Sequence, residues 1–224
     1  MKTKHYPTST LLGAIEVAVT LLTSPLSRRW YNRWGATPEE ITRALPGDEL
    51  VPAPRLSYTR AITIYVPAAA IWPWLVQMGQ GRGGLYSYDG LENLIGCDIH
   101  SADRILPEFQ EIKPGDHVLF GPAEKKFPGQ VVLEVKPERS ILMCALDPVT
   151  RQPVKSATWV FVLDELADGA TRLLVRGRNG YEPTAANHIL WHIVESLNFV
   201  MERKMLRGIK ARVEDTPQPI RAGT

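Results

Sequence analysis

Apolar and polar residues alternate from residue 56 to residue 64, which is the pattern of a strand with one buried face. Pro67 then opens a helical segment that ends at Gly79, and a second short helix is expected near 88–95. The later strand-like runs lie at about 115–121, 129–136, 139–146, 155–165 and 171–179. Strands and helices do not alternate, so the pattern predicts an antiparallel sheet rather than a parallel one.

The last long segment, 183–212, contains apolar residues at helical spacing. It begins at Pro183 and has no proline after it. We expect a single helix that packs against the curved sheet, which makes the chain an α+β protein. A sheet wrapped around one helix leaves space between them, a natural ligand site. The predicted inward stripe has almost no ionisable group and consists of Ala186, Leu190, Ile193, Leu197, Val200, Met201 and Met205.

Residues 8–24, between Pro7 and Pro25, are mostly apolar but carry a narrow stripe of small and polar residues that includes Glu16. They predict a helix that needs an apolar neighbour, either the surface of its own domain, another subunit or a membrane interface. No convincing cleavage site follows, so a secretory signal is not expected. This helix belongs to an N-terminal extension over residues 1–34.

A connector over residues 35–54 separates that extension from the main domain. Thr37 and Glu40 have the spacing of a capping box around Pro38, which predicts a short helix. Further prolines follow it, and we expect the main domain over 55–212 and a tail over 213–224.

Composition and charge limit the classes of partner and cofactor that we expect. Hydrophobic residues make up 44% of the 224 residues, and the formal net charge of +2 gives no reason to expect a nucleic acid partner. The two cysteines, Cys97 and Cys144, suit a reducing, cytoplasmic setting. The glycine-rich segment 79–84 follows a helix and does not match a dinucleotide site, and the Cys97–His100 segment has too few ligands for zinc. We therefore expect no cofactor and no metal.

The densest polar chemistry lies in the segment from Tyr86 to Asp103. Its side chains either cap helices and loops or form the mouth of a ligand site, where an aspartate beside His100 would supply an acid/base pair. Arg82 can meet an anionic group. Arg176 and two other arginines share one face of a strand. That face either meets solvent or lies at the polar end of a cavity. The predicted ligand-binding residues are Trp72, Arg82, Tyr86, Tyr88, Asp89, His100, Asp103, Arg176, Leu190 and Leu197.

Residues 66–108 resemble bacterial polyketide cyclase/dehydrase-like proteins of the SRPBCC superfamily, and the MERKMLRGIKAR segment at 201–212 is similar to their closing helix. The resemblance covers roughly 35–212. It implies a START-like, helix-grip fold, in which a curved antiparallel sheet grips a long C-terminal helix around an apolar cavity. It implies no catalytic set that can be carried over.

Three functions remain open from the sequence. The first is non-enzymatic binding or carriage of a small apolar ligand such as a lipid, a sterol or a polyketide-like compound. The second is a cyclase or dehydratase that uses the Tyr86–Asp103 segment. The third is a membrane-associated protein that exchanges lipid with a bilayer through residues 8–24. The sequence does not predict the oligomeric state.

Overall fold

The computed structural model describes residues 10–215, so residues 8 and 9 of the predicted N-terminal helix and residues 216–224 of the predicted tail lie outside the described residues. Six antiparallel strands form one sheet in the order β1-β6-β5-β4-β3-β2. The predicted antiparallel sheet is therefore confirmed. The strands are β1 (Leu56–Ile64), β2 (His117–Leu119), β3 (Gly129–Lys136), β4 (Ser140–Leu146), β5 (Pro153–Glu165) and β6 (Thr171–Asn179).

Two helices follow β1, namely α3 (Ala68–Val76) and α4 (Asp89–Leu94), and α5 (Ala185–Asp215) closes the fold. The Asp168-Gly169 pair is typical of a hairpin turn and predicts one between β5 and β6, and the structure has it, with Gly169 at a φ of 82°. The register shifts between Val132 and Glu134 and again between Cys144 and Ala145. Such bulges bend strands, and they give the sheet a concave face for α5. The helix-grip fold expected from the sequence is confirmed.

The two faces of the sheet bury different partners, as the two-residue period of a strand requires. On β5, Phe161 and Leu163 belong to the core that contains Leu206 and Ile209 of α5. Val160 and Val162 point the other way, to a second cluster that includes Leu45 of the connector. The connector therefore covers the convex face of the sheet.

Arginines of β6 fasten the connector to this convex face. The connector contains the short helix α2 (Pro38–Thr42), which has the predicted capping box between Thr37 and Glu40. Arg172 donates to both carboxylate oxygens of Glu40 at 2.8 and 2.7 Å. Arg176 donates to Asp48 at 2.6 Å. Neither alternative expected for this arginine face holds for Arg172 and Arg176, because the connector supplies carboxylates and carbonyl oxygens for them, whereas Arg178 lines the cavity described below.

The buried stripe of α5 differs from the predicted one. Val200 and Met205 are buried as expected, but Ala186 and Ile193 are exposed. Glu195 and Glu202, which are 2% and 3% exposed, face inward instead. The expectation of an inward face almost free of ionisable groups is therefore wrong. The buried stripe is rotated around the helix and runs through Glu195, Phe199, Glu202, Leu206, Ile209 and Val213.

The N-terminal helix α1 (Thr10–Tyr31) continues beyond its predicted end, with Pro25 inside it. Proline has no backbone N–H to donate to the carbonyl of Leu21. The hydroxyl of Ser24 donates to that oxygen instead, at 2.8 Å, which explains how the helix tolerates the proline.

Helix α1 contacts the rest of the protein with its small and polar stripe. Glu16 accepts from Arg203 at 2.8 Å and from the hydroxyl of Tyr88 at 3.1 Å. Ser24 bonds the ring of His192 at 2.7 Å. Gly13 is buried where a Cβ atom would lie 2.6 Å from the side chain of Leu91, so α4 approaches α1 closely there.

The apolar side of α1 faces outward. Leu22 and Leu26 are 82% and 94% exposed. By length and composition the helix could cross a membrane, with a mean hydropathy of 1.5 over an 18-residue window. The other exposed apolar residues on this side are Leu11, Leu12, Ile15, Val19 and Trp30.

Candidate functional site

A cavity of about 610 Å³ lies between the concave face of the sheet, α4 and the first two thirds of α5. Glycine at position 177 makes room for one wall, because a Cβ atom there would lie 2.4 Å from the ring of Tyr58 on the neighbouring strand. Many of the lining side chains are apolar, among them Leu56, Leu91, Phe120, Phe127, Leu146, Trp159, Trp191, Val194, Leu197, Met201 and Met205. The ionisable residues of the lining are Tyr58, Glu92, Cys97, Arg178, Glu195 and Glu202.

Glu202 forms a buried polar floor of this cavity. One carboxylate oxygen, Oε1, accepts from the indole of Trp159 at 2.8 Å and from the hydroxyl of Tyr58 at 3.1 Å. The other, Oε2, accepts from the guanidinium of Arg60 at 2.7 Å. Burial, and next the charge of Glu202, raise the pKa of Tyr58 well above its usual value, so its hydroxyl remains a donor. The carboxylate is thus fully paired.

Arg60 supplies the charge that balances Glu202. It is completely buried on β1, where its Nε donates to the carbonyl of Tyr31 at 3.0 Å and its Nη1 also donates to Asn198 at 2.7 Å. Its guanidinium lies 4.1 Å from the ring centre of Tyr58. These contacts reduce the cost of removing both charges from water.

Glu195 lies ten residues after Ala185, the first residue of α5, and is paired from the N-terminal part of the chain. Arg28 of α1 donates to its two carboxylate oxygens at 3.0 and 2.9 Å, and Asn32 donates to Oε1. The side chain of Arg28 remains 48% exposed, whereas that of Glu195 is 1% exposed. Helix α1 therefore neutralises a carboxylate in the cavity wall.

Glu92 on α4 differs from the other two glutamates. It is 8% exposed, and its Oε2 has no hydrogen-bond partner among the described residues. Burial, and next the nearby Asp89, raise its pKa to about 8. Cys97 lines the same wall, and burial followed by the charge of Glu92 raises the pKa of its thiol. At neutral pH this wall presents a protonated carboxyl group and a protonated thiol.

The Tyr86–Asp103 segment reaches the cavity with Glu92 and Cys97, but the tyrosine, aspartates and histidine predicted as its site residues do not line it. Tyr86 is buried, donates to the carbonyl of Trp74 at 3.0 Å and accepts from Gln77 at 3.0 Å. Asp89 accepts from the backbone N–H and the hydroxyl of Ser101 at 2.7 and 2.6 Å. The side chain of His100 is 79% exposed and pairs with Asp98. Asp103 is exposed as well. These groups stabilise the loop or face solvent.

The remaining predicted ligand-binding residues are also dispersed. Arg82 donates to the carbonyl of Val76 at the end of α3 and to that of Phe109 in a later turn. Trp72 packs on the main core, and the hydroxyl of Tyr88 bonds α1. Arg176 uses five hydrogen bonds on the convex face. Leu190 is 52% exposed. Of the ten predicted residues, Leu197 alone lines the cavity.

Sequence reasoning missed the glutamates that do line it. Glu195 and Glu202 are seven residues apart, so they share a helical face with Phe199 and Leu206. That spacing was a usable signal. Glu92 offers no comparable signal, because its burial depends on how α4 packs beside α5.

The geometry defines a helix-grip protein with a cavity between its sheet and its closing helix. No family model matches the chain, and no curated protein matches it. A Polyketide_cyc-like protein from Corynebacterium glutamicum is 14% identical over 70% of this chain and 91% of its own, with a TM-score of 0.37. A protein from Mycobacterium smegmatis is 16% identical over 70% and 89%, with a TM-score of 0.39.

A third solved structure, the Aha1 dimer from Colwellia psychrerythraea, is 16% identical over 66% of this chain and 96% of its own, with a TM-score of 0.35. The description of the Corynebacterium protein names the kind of protein that the sequence resembles. Identities and TM-scores this low carry no information about a ligand, a reaction or an assembly.

Proposed function

We propose that the protein binds or carries a small, mainly apolar molecule in the cavity between the sheet and α5. The observation that carries the proposal is the cavity itself, whose volume of about 610 Å³ falls within the range of ligand sites. Its apolar lining and the polar floor at Glu202 suit a ligand with an apolar body and one polar end.

Binding is favoured over a cyclase or dehydratase reaction. A proton-transfer reaction needs an acid and a base within hydrogen-bond reach of the substrate. Tyr86 and Asp89 are engaged with their own loop, and His100 faces solvent. Glu92 and Cys97 of the same segment do line the cavity, but both are protonated at neutral pH, so they offer an acid without a base beside it.

The test is to fill the cavity. Ala157 lines it, and Ala157→Phe adds a ring to the concave side of β5. We expect this variant to bind Nile red, a neutral apolar dye, at least about tenfold more weakly. Ala186→Phe is the matched control, because Ala186 is exposed on the same protein and does not line the cavity. A folded Ala157→Phe variant that binds the dye as tightly as the wild type would refute the proposal.

A second function, peripheral contact with a lipid bilayer, is favoured by the orientation of α1. The helix contacts the domain with Glu16, Ser24 and Arg28 and leaves its apolar side outward. Since its polar stripe is held by α5, α1 would lie along a membrane surface rather than cross it. Arg29 and Arg33 are exposed near its end and would face anionic head groups.

Flotation with vesicles containing phosphatidylserine tests this contact. Leu22→Asp with Leu26→Asp should abolish binding, whereas Val149→Asp with Leu166→Asp changes exposed apolar residues elsewhere and should leave it intact. Substitution is preferable to deletion of residues 1–34, which would leave Glu195 unpaired. If the Leu22 and Leu26 changes instead dissociate a dimer in sedimentation experiments, the apolar side of α1 binds a second copy.

A further inference from the structure

Two hydrogen-bonding atoms of the cavity lining have no partner among the described residues. They are Oε2 of Glu92 and Oε1 of Gln130. Glu92 comes from α4, and Gln130 comes from β3, so two separate elements each bring an unsatisfied polar atom to the same cavity. A buried polar atom without a partner costs roughly 1–3 kcal/mol. Atoms left in this state at a cavity indicate that something in the cavity completes their hydrogen bonds.

The charges around the cavity restrict what that group can be. Glu195 and Glu202 are balanced by Arg28 and Arg60. The one other cation of the lining, Arg178, directs its guanidinium to Asp48 and to the carbonyl of Val51. No lining cation is therefore left without a carboxylate partner. An anionic head group would meet the carboxyl groups of the lining, and the nearest unpaired cation among the described residues at this wall, Lys125, stands outside the lining and bonds the carbonyl of Gly96.

A cationic head group is also disfavoured. The carboxyl group of Glu92 is protonated at neutral pH, because burial raises its pKa to about 8. An ammonium group would have to lose its hydration and displace this proton to gain a charged partner. A hydroxyl group loses less hydration, and it both donates and accepts hydrogen bonds.

We infer that the ligand is an apolar alcohol, whose hydroxyl group accepts a hydrogen bond from the carboxyl group of Glu92 or donates one to the side-chain oxygen of Gln130. This inference rests on the proposed function, since it assigns the polar end of the same ligand. Leu91 and Ile95 lie beside Glu92 in the lining and provide apolar surface for the adjoining chain.

The test compares ligands that differ at one end. Displacement of Nile red from the full-length protein is measured with 1-decanol, its methyl ether, decylamine and decanoate. The ether has the same chain and an oxygen that accepts but cannot donate. We expect 1-decanol to bind at least about tenfold more tightly than the ether and decanoate to bind most weakly.

Two substitutions at position 92 assign the preference to this residue. Glu92→Leu should weaken 1-decanol binding about tenfold and leave the ether within about threefold, because the ether makes less use of the carboxyl group. Glu92→Gln keeps both hydrogen-bonding functions and should stay within about threefold of the wild type for both compounds. Retained Nile red binding shows that each variant keeps its cavity.

Each other outcome rejects the inference in a recognisable way. Equal binding of 1-decanol and its ether means that no hydroxyl is recognised. If decylamine binds more tightly than 1-decanol, the site recognises a cationic group. If decanoate binds more tightly than 1-decanol, it recognises an anionic group. If Glu92→Leu still prefers 1-decanol to its methyl ether as strongly as the wild type does, Glu92 does not recognise the hydroxyl group. If Nile red and all four compounds fail to bind, the proposed cavity function itself is wrong.

Discussion

The two helical walls of the cavity differ in whether their buried carboxyl groups have a partner of opposite charge. The α5 wall carries Glu195 and Glu202, and each has an arginine partner. The α4 wall carries Glu92, which has an oxygen without a partner among the described residues. A buried, paired carboxylate is explained by the folded structure alone. A buried, unpaired carboxyl group points to a partner that is not among the described residues.

The paired wall also depends on distant parts of the chain. Arg60 lies 142 residues before Glu202, and Arg28 lies 167 residues before Glu195. These pairs form only when β1 and α1 both meet α5. Removing the arginine of a pair should therefore lower the free energy of unfolding. Replacing the unpaired carboxyl group of Glu92 by a neutral side chain should raise it, and the following substitutions test both expectations.

The largest effect is expected at Arg60. Arg60→Met keeps an unbranched side chain but removes the charge, and it leaves the carboxylate of Glu202 buried without its cation. We expect the free energy of unfolding to fall by about 3–5 kcal/mol, measured by urea denaturation. Adding Glu202→Gln to this variant should recover part of the loss, because the remaining group is then neutral. A loss below about 1 kcal/mol would show that the pair does not hold this wall together.

The sequence predicts the sheet better than it predicts these walls. The strand predicted at 56–64 and the turn predicted at Asp168-Gly169 depend on neighbours in the chain, and both are confirmed, although β1 is buried on both faces. The capping box of α2 is local in the same sense. A periodicity argument also finds α5, which ends three residues beyond the expected Arg212, at Asp215.

The candidate site was largely mispredicted because it depends on contacts between distant segments. Hydrophobicity places Leu190 and Ile193 inward, yet α5 buries Glu195 because Arg28 neutralises it. Tyr86 resembles a catalytic residue by type, but Trp74 and Gln77 use its hydroxyl for the fold. Residue type alone does not distinguish a side chain that stabilises the fold from one that acts at a ligand site, because the hydrogen-bond partner of each group decides which it does.

A smaller effect is expected at Arg28, the partner of Glu195. Arg28→Ala should lower the free energy of unfolding by about 1–3 kcal/mol. The effect should be smaller than at Arg60, because the side chain of Arg28 is 48% exposed and water can reach the site. Arg29→Ala removes an exposed neighbouring arginine and should change stability by less than about 0.5 kcal/mol. Equal losses in the two variants would mean that the contact with Glu195 does not fasten α1.

An effect of the opposite sign, which depends on pH, is expected at Glu92. Its usual pKa of 4.5 is raised to about 8 in the folded protein, first by burial and then by Asp89. Between these values the folded protein holds a proton that the unfolded chain has lost. The contribution of Glu92 to stability is therefore full below about pH 4.5 and falls as the pH rises towards 8, by up to about 1.4 kcal/mol per pH unit.

Glu92→Gln isolates this effect, because glutamine has nearly the same shape and does not titrate. The variant and the wild type should have similar unfolding free energies near pH 4.5, and the variant should become the more stable protein as the pH approaches 8. Urea denaturation at several pH values measures the difference, and Glu124→Gln, which changes an exposed carboxylate, should follow the wild type. Parallel curves for Glu92→Gln and the wild type would mean that Glu92 ionises normally in the folded protein. A rise in the stability of the wild type when 1-decanol is added at pH 7, and a smaller rise in Glu92→Leu at the same concentration, would connect the unpaired wall to its ligand.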